Sequence, residues 1–171
     1  MLYAKQNLVA WCIVPFDSEN RNPAARAELL NELGFTRMAL YNHGDWFGEP
    51  ENQIRIIEAT GADDIGLVYN FHHGHHQIEN FPVMVEMMLP WLWTVNLNGM
   101  RQEGPKIMDI GKGDHEAGMM RILRESGFKG TIGIIGHTEG EDVRKPLMRN
   151  LDGLKQILEE MGDTEALATY R

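Results

Sequence analysis

Asp63-Asp64-Ile65-Gly66-Leu67-Val68-Tyr69-Asn70-Phe71-His72-His73-Gly74-His75-His76 is the stretch from which the fold can be read. An apolar run, Ile65 to Tyr69, stops abruptly at polar groups, and four of the chain's seven histidines follow it. A short apolar run bounded by turn signals predicts a strand buried on both faces. A buried strand that hands over Asn and His at its carboxyl end is how parallel α/β proteins assemble sites. The next helix is expected from about Ile78 to Leu89, with Phe81, Val85 and Met88 at helical spacing and Pro90 as its stop.

The same unit recurs on both sides. Upstream, Arg37–Tyr41 reads as a strand delivering Asn42-His43-Gly44, followed by a helix over about Glu51–Thr60 that ends at Gly61. Further upstream, Leu8–Phe16 is an apolar, β-rich run. Asn22 is placed to cap a helix with Pro23 at its first position; Ala27, Leu29, Leu30 and Leu33 are expected to form its apolar stripe, and Gly34 ends it. Downstream, Trp91–Leu97 delivers Asn96-Leu97-Asn98-Gly99 into a loop from Met100 to Gly113, and Asp114 is placed to cap a helix to about Ser126. Gly127–Gly130 turns into the strand Thr131–Ile135, and a final amphipathic helix covers about Arg144 to Met161, before a tail over 162–171. Strand and helix thus alternate five times. That pattern predicts right-handed βαβ units, a parallel sheet and a site at the strands' carboxyl ends.

The bulk numbers narrow the function. The chain has 171 residues, 43% of them hydrophobic, a formal net charge of -9 and one Cys. Its length predicts a single domain, 1–171, with a real core. The lone Cys12 forms no internal disulfide and sits in an apolar run, as an inert buried thiol would. The acidic balance argues against nucleic acid as a partner. No apolar run approaches a membrane span, and the start lacks a long apolar signal segment, so the cytoplasm is the expected compartment.

Five motifs in order carry a resemblance. Leu40-Tyr41-Asn42-His43-Gly44 resembles the "L-E-N-H-G" at the fifth strand of the xylose isomerase-like TIM barrels, the sugar phosphate isomerase/epimerase superfamily. Val68-Tyr69-Asn70-Phe71-His72-His73 resembles the sixth-strand "D-x-x-H", and Trp93-Thr94-Val95-Asn96-Leu97-Asn98-Gly99 the seventh-strand "H-V-H-L-K-D". Ile110-Gly111-Lys112-Gly113-Asp114 is similar to the "L-G-x-G-x" loop, and Gly127-Phe128-Lys129-Gly130 to the turn into the eighth strand. The resemblance implies a (β/α)8-type array of parallel βα repeats. About five strands are present, so a partial or open barrel is expected. Its first unit, about 7–34, joins directly to the last four, about 37–161. A second copy completing the barrel is the oligomer this shortening suggests.

The resemblance also implies sugar or sugar-phosphate isomerisation or epimerisation, with proton transfer at a hydroxyl–carbonyl unit and a divalent metal, Zn, Mn or Mg. Tyr41, Asn70 and Asn96 stand where that family places metal-binding Glu, Asp and His. His73 matches its family counterpart. Hard cations want carboxylate oxygen, so an imidazole site built on His73 and His75 is the remaining metal reading. His72, His75 and His76 otherwise read as solvated loop histidines. Asn42, His43, Asn70, Asn96 and Asn98 are candidates for binding sugar hydroxyls, and for the Asn residues turn chemistry is the competing reading. Trp46 is a candidate stacking face, against ordinary packing under a loop. Glu139 and Glu141 are candidate proton-transfer groups, although acidic residues there also suit a helix start. The Gly111-x-Gly113 loop reads as a turn plus N-cap rather than an anion site. A non-catalytic carbohydrate-binding or degenerate barrel is the rival. A nuclease, which the superfamily also contains, is disfavoured by the charge.

Overall fold

The computed structural model of the chain describes residues 18–35, 37–135 and 140–170. The expected first strand, Leu8–Phe16, lies outside them, as do Cys12 and Glu139.

Within them the elements alternate as α1 (Pro23–Leu33), β1 (Met38–Tyr41), α2 (Pro50–Thr60), β2 (Ile65–Asn70), α3 (Phe81–Met88), β3 (Leu92–Leu97), α4 (Glu116–Glu125), β4 (Thr131–Ile134), α5 (Arg144–Glu160) and α6 (Thr164–Ala168). Local chemistry sets several ends. Asn22 Oδ1 accepts the Ala25 N–H at 2.9 Å at the start of α1. Gly34 and Gly61 close α1 and α2 in the left-handed region, at φ 74° and 63°. Short 3-10 turns, Phe71–His73 and His75–Asn80, bring the chain from β2 into α3.

The four strands form one parallel sheet in chain order, β1-β2-β3-β4. Crossovers of one hand between neighbours taken in sequence put every connecting helix on the same face. A doubly wound sheet would reverse its order at some point, and this one does not. On the helical face Leu40, Leu67, Tyr69, Val95 and Leu97 pack against Ile54 and Ile57 of α2, Phe81, Val85 and Met88 of α3, Met119 and Leu123 of α4, and Leu154, Ile157 and Leu158 of α5. Phe71, Phe81 and Tyr69 meet as a ring cluster, with centroids 5.5–6.2 Å apart. Among the described residues no connecting helix lies on the opposite face.

Two local expectations are corrected. Asp114 does not cap α4: the cap position is His115, without a side-chain bond, and Asp114 instead pairs with Arg101 Nε at 2.7 Å. Glu116, the first residue of α4, is buried and serves the preceding loop instead. Its carboxylate accepts the backbone N–H of Met100 at 2.9 Å, Gly111 at 3.0 Å and Gly113 at 2.8 Å. The Gly-rich loop therefore wraps an anion supplied by the chain itself. A Cβ on Gly113 would collide with Glu116 and the Met100 backbone, which is why the loop needs glycine there. The second correction concerns α1, whose expected apolar stripe is only partly covered: Leu33 is 50% exposed.

Replacing Glu116 with Gln keeps the shape but turns one acceptor into a donor facing an N–H. Urea unfolding should show a loss of about 2 kcal/mol. An unchanged midpoint would mean that the carboxylate does not hold the loop.

Candidate functional site

Register sorts the helix-free face into rows. Tyr41, Val68, Thr94 and Thr131 lie side by side, and Asn70, Asn96 and Gly133 form the next row towards the carboxyl ends. This face borders a cavity of about 590 Å³ whose lining includes Arg37, Val68, Thr94, Asn96, Thr131 and Gly133.

Three asparagines bridge three strands at the upper row. Asn96 Nδ2 donates to Asn70 Oδ1 at 2.6 Å. Asn70 Nδ2 donates to Asn42 Oδ1 at 3.3 Å, and the Asn70 N–H reaches the same oxygen at 2.6 Å. Asn42 Nδ2 returns a bond to the Asn70 carbonyl at 3.1 Å. All three residues are buried. Gly133 leaves the space that Asn96 Oδ1 occupies, since a Cβ at Gly133 would collide with that oxygen.

A second cluster stands beside it. The Tyr41 hydroxyl lies 2.7 Å from His73 Nε2 and 3.3 Å from His72 Nε2. The His73 ring is 4.6 Å from that of His43 and 3.9 Å from that of His72, centroid to centroid. Burial, then the charges of His72, Lys106 and His43, push the His73 imidazole down to about 3, so it is neutral at pH 7. His72, read as a loop histidine, thus belongs with the cluster. The reason is the 3-10 turn Phe71–His73: in a strand, adjacent side chains would point to opposite faces. Tyr41, noted only as standing in for a Glu, is the hub.

The other candidates scatter. His75 turns into the β3–α4 loop, with Nδ1 2.8 Å from the Arg101 carbonyl and Nε2 3.3 Å from that of Lys106. Asn98 braces the same loop, donating to the carbonyls of Gly99 at 3.0 Å and Lys106 at 3.2 Å and accepting the Met108 N–H at 3.1 Å. Trp46 is 62% exposed in the loop after β1. Glu141 is held by Arg149 through two bonds of 2.8 Å, which keeps its carboxyl below the usual range. Arg149 also reaches Asp109 at 2.7 Å. His76 and Gln77 both meet Glu49, and Gln77 accepts the Tyr69 hydroxyl.

Among the described residues no group of three or more His, Cys, Asp and Glu side chains is arranged to hold a metal ion. The donors do not fit a hard divalent cation. The asparagine amides satisfy one another without charge, whereas carboxylates at the same row would repel and need a cation between them.

Two outcomes follow. Gly133→Ala should displace Asn96 and cost about 1–3 kcal/mol in chemical unfolding; a neutral effect would show that the contact is slack. Between pH 6.5, the ordinary histidine value, and about 3, the unfolded chain takes up a proton that folded His73 refuses. The stability tied to His73 is therefore intact above pH 6.5 and lost as pH falls towards 3. His73→Gln should flatten the unfolding midpoint over that range, and an unchanged pH slope would count against the depressed imidazole.

No family model matches the chain, and no curated protein matches its sequence. Solved structures do match its fold. The 3-keto-D-glucoside 4-epimerase YcjR of E. coli is 14% identical, with a TM-score of 0.57 over 87% of this chain and 62% of that one. An L-ribulose 3-epimerase is 15% identical, with a TM-score of 0.59 over 85% and 55%. The IOLI protein, solved with a zinc atom, is 13% identical, with a TM-score of 0.55 over 78% and 52%. The chain therefore spans little more than half the length of these proteins. In-order parallel strands, helices on one face and these likenesses agree: the chain has the fold of the xylose isomerase-like TIM-barrel epimerases, carried as an open βα array.

Proposed function

We propose that the chain binds a small carbohydrate at the carboxyl ends of its strands and acts on it as a sugar isomerase or epimerase does, by moving a proton at a hydroxyl–carbonyl unit. The observation that supports this reading is the cluster of Tyr41, His43 and His73 together with the Asn70–Asn96 pair near the carboxyl ends of the strands, where Asn96 also lines the cavity on the helix-free face. Amide and hydroxyl groups offer both donors and acceptors, as sugar hydroxyls require.

In this reading the neutral His73 donates a hydrogen bond to the substrate carbonyl as charge develops there. A neutral imidazole suits that role better than an imidazolium, which would already carry its charge. Tyr41 orients the ring. Asn96 presents Oδ1 to a sugar hydroxyl above Gly133. The proton-accepting carboxylate is assigned to Glu139, because Glu141 is committed to Arg149 and its depressed carboxyl makes it a poor base. His75 and Asn98 hold the loop, and Trp46 offers a face for the sugar ring.

The self-satisfied asparagine ladder also favours a second reading, a carbohydrate-binding array without catalysis. Incubating ketohexoses with the protein in D2O separates the two. Incorporation of carbon-bound deuterium, seen by NMR and reduced about 100-fold or more in Glu139→Gln, supports proton transfer. Tyr41→Phe should lower it about tenfold by loosening His73. Sugar binding without exchange selects the binding array, and no sugar binding at all would sink both readings.

A further inference from the structure

The helix-free face carries a second arrangement at the amino ends of its strands, away from the Tyr41 and His73 cluster. Arg37, just ahead of β1, and Trp93, on β3, meet across β2: the guanidinium carbon lies 4.2 Å from the centre of the indole ring. Register makes the meeting possible. Leu67 pairs with Leu92 and Val68 with Thr94, so Trp93 is the extra residue of a β-bulge. A bulge re-aims the side chain that it inserts. On the strands between, Ala39 and Gly66 are partners in register. Gly66 is buried in the strand interior, and a Cβ there would run into the Trp93 ring.

A bulge, a glycine inside a strand and a half-buried guanidinium each cost stability, and an apolar side chain at position 37 would satisfy packing alone. Arg37 and Trp93 share the wall of the 590 Å³ cavity with Ala39, Val68, Leu92 and Thr94. That size suits a small molecule. The chain has 25 acidic residues against 16 basic ones. Yet among the described residues no carboxylate lines this cavity, and none lies within ion-pair distance of Arg37. A guanidinium stacked on a ring keeps its N–H donors in its own plane, where a planar oxyanion can take two of them at once. The remaining wall is chiefly aliphatic, with the hydroxyls of Thr94 and Thr131, partners in register, beside it.

We propose that this end of the face binds a small molecule whose oxyanion, carboxylate or phosphate, is held by Arg37 and whose apolar body lies along Ala39, Val68 and Leu92. The site shares with the strand-end cluster only Asn96 and its neighbour Gly133, at the upper end of the cavity. It does not depend on the carbohydrate reading, and either can fail alone.

Calorimetric titration of the full chain and of Arg37→Met tests it, with phenylacetate, phenyl phosphate, the neutral phenylacetamide, acetate and inorganic phosphate as probes. At least one aryl anion should bind about tenfold or more tightly than phenylacetamide, and about tenfold or more tightly than acetate or inorganic phosphate. The tighter of the two aryl anions identifies the oxyanion. Arg37→Met keeps an apolar stem beside Trp93 and should bring that anion to within about twofold of phenylacetamide. In the unaltered chain the same ligand should slow phenylglyoxal modification of Arg37 about fivefold, read by peptide mass, and leave that of the exposed Arg55 unchanged. No binding of any probe, equal binding of anion and amide, or a bare anion that binds as tightly would overturn the proposal. So would a preference that survives Arg37→Met, or an Arg37 modified at an unchanged rate. Light scattering that shows a dimer, broken by Arg37→Met but not by the ligand, would give the face to a second copy of the chain and overturn it too.

Discussion

Asn70 is bonded in both directions across the sheet, accepting from Asn96 on one side and donating to Asn42 on the other. These amide bonds tie the carboxyl ends of three strands together where ladder bonding stops. They do so without a charge, in positions too buried for an unpaired donor or acceptor to be tolerated. The ladder sets no carboxylate beside the neighbouring rings, which suits a His73 imidazole kept neutral by burial and by the positive charges near it. Substituting one amide by a carboxylate would place a buried charge against Asn oxygens, so the three positions are coupled.

The β3–α4 loop follows the same economy. A Gly-rich turn with converging N–H groups has the makings of an anion site, and here Glu116 fills it from within. The carboxylate folds the loop back onto Met100. Asn98 and His75 then fix the stretch near Lys106 from the other side. What the loop offers to solvent is therefore set by buried polar groups together with the packing of Met100 and Ile110 in the core.

Much of the fold was legible in the sequence because its signals are local. Asn22, Pro23, Gly34, Gly61 and Pro90 each act within a few residues of where they stand, and the apolar runs Ile65–Tyr69 and Trp91–Leu97 announce strands without reference to partners. Asn42, Asn70 and Asn96 were legible as strand-end residues. Their mutual bonding was not, because it depends on a register that shifts at Leu67/Val68. His72 was misread because a single 3-10 turn decides which way adjacent side chains face. Asp114 looked like a helix cap, but Arg101 offered it a charge-assisted pair, and Glu116 two residues on took the buried role. Such choices are settled by partners distant in sequence, which composition and spacing do not encode.

The in-order sheet has a consequence for how the chain reaches its structure. Each described strand pairs with the next strand in sequence, so every ladder closes over one helix and its two connections. No described pairing waits for distant segments to meet, and the entropy of closing a long loop is never incurred at once. A closed barrel must finally bring its first and last strands together. The β1–β4 array can instead grow by adding one βα unit to the edge of the last, with each new strand templated by the one before it.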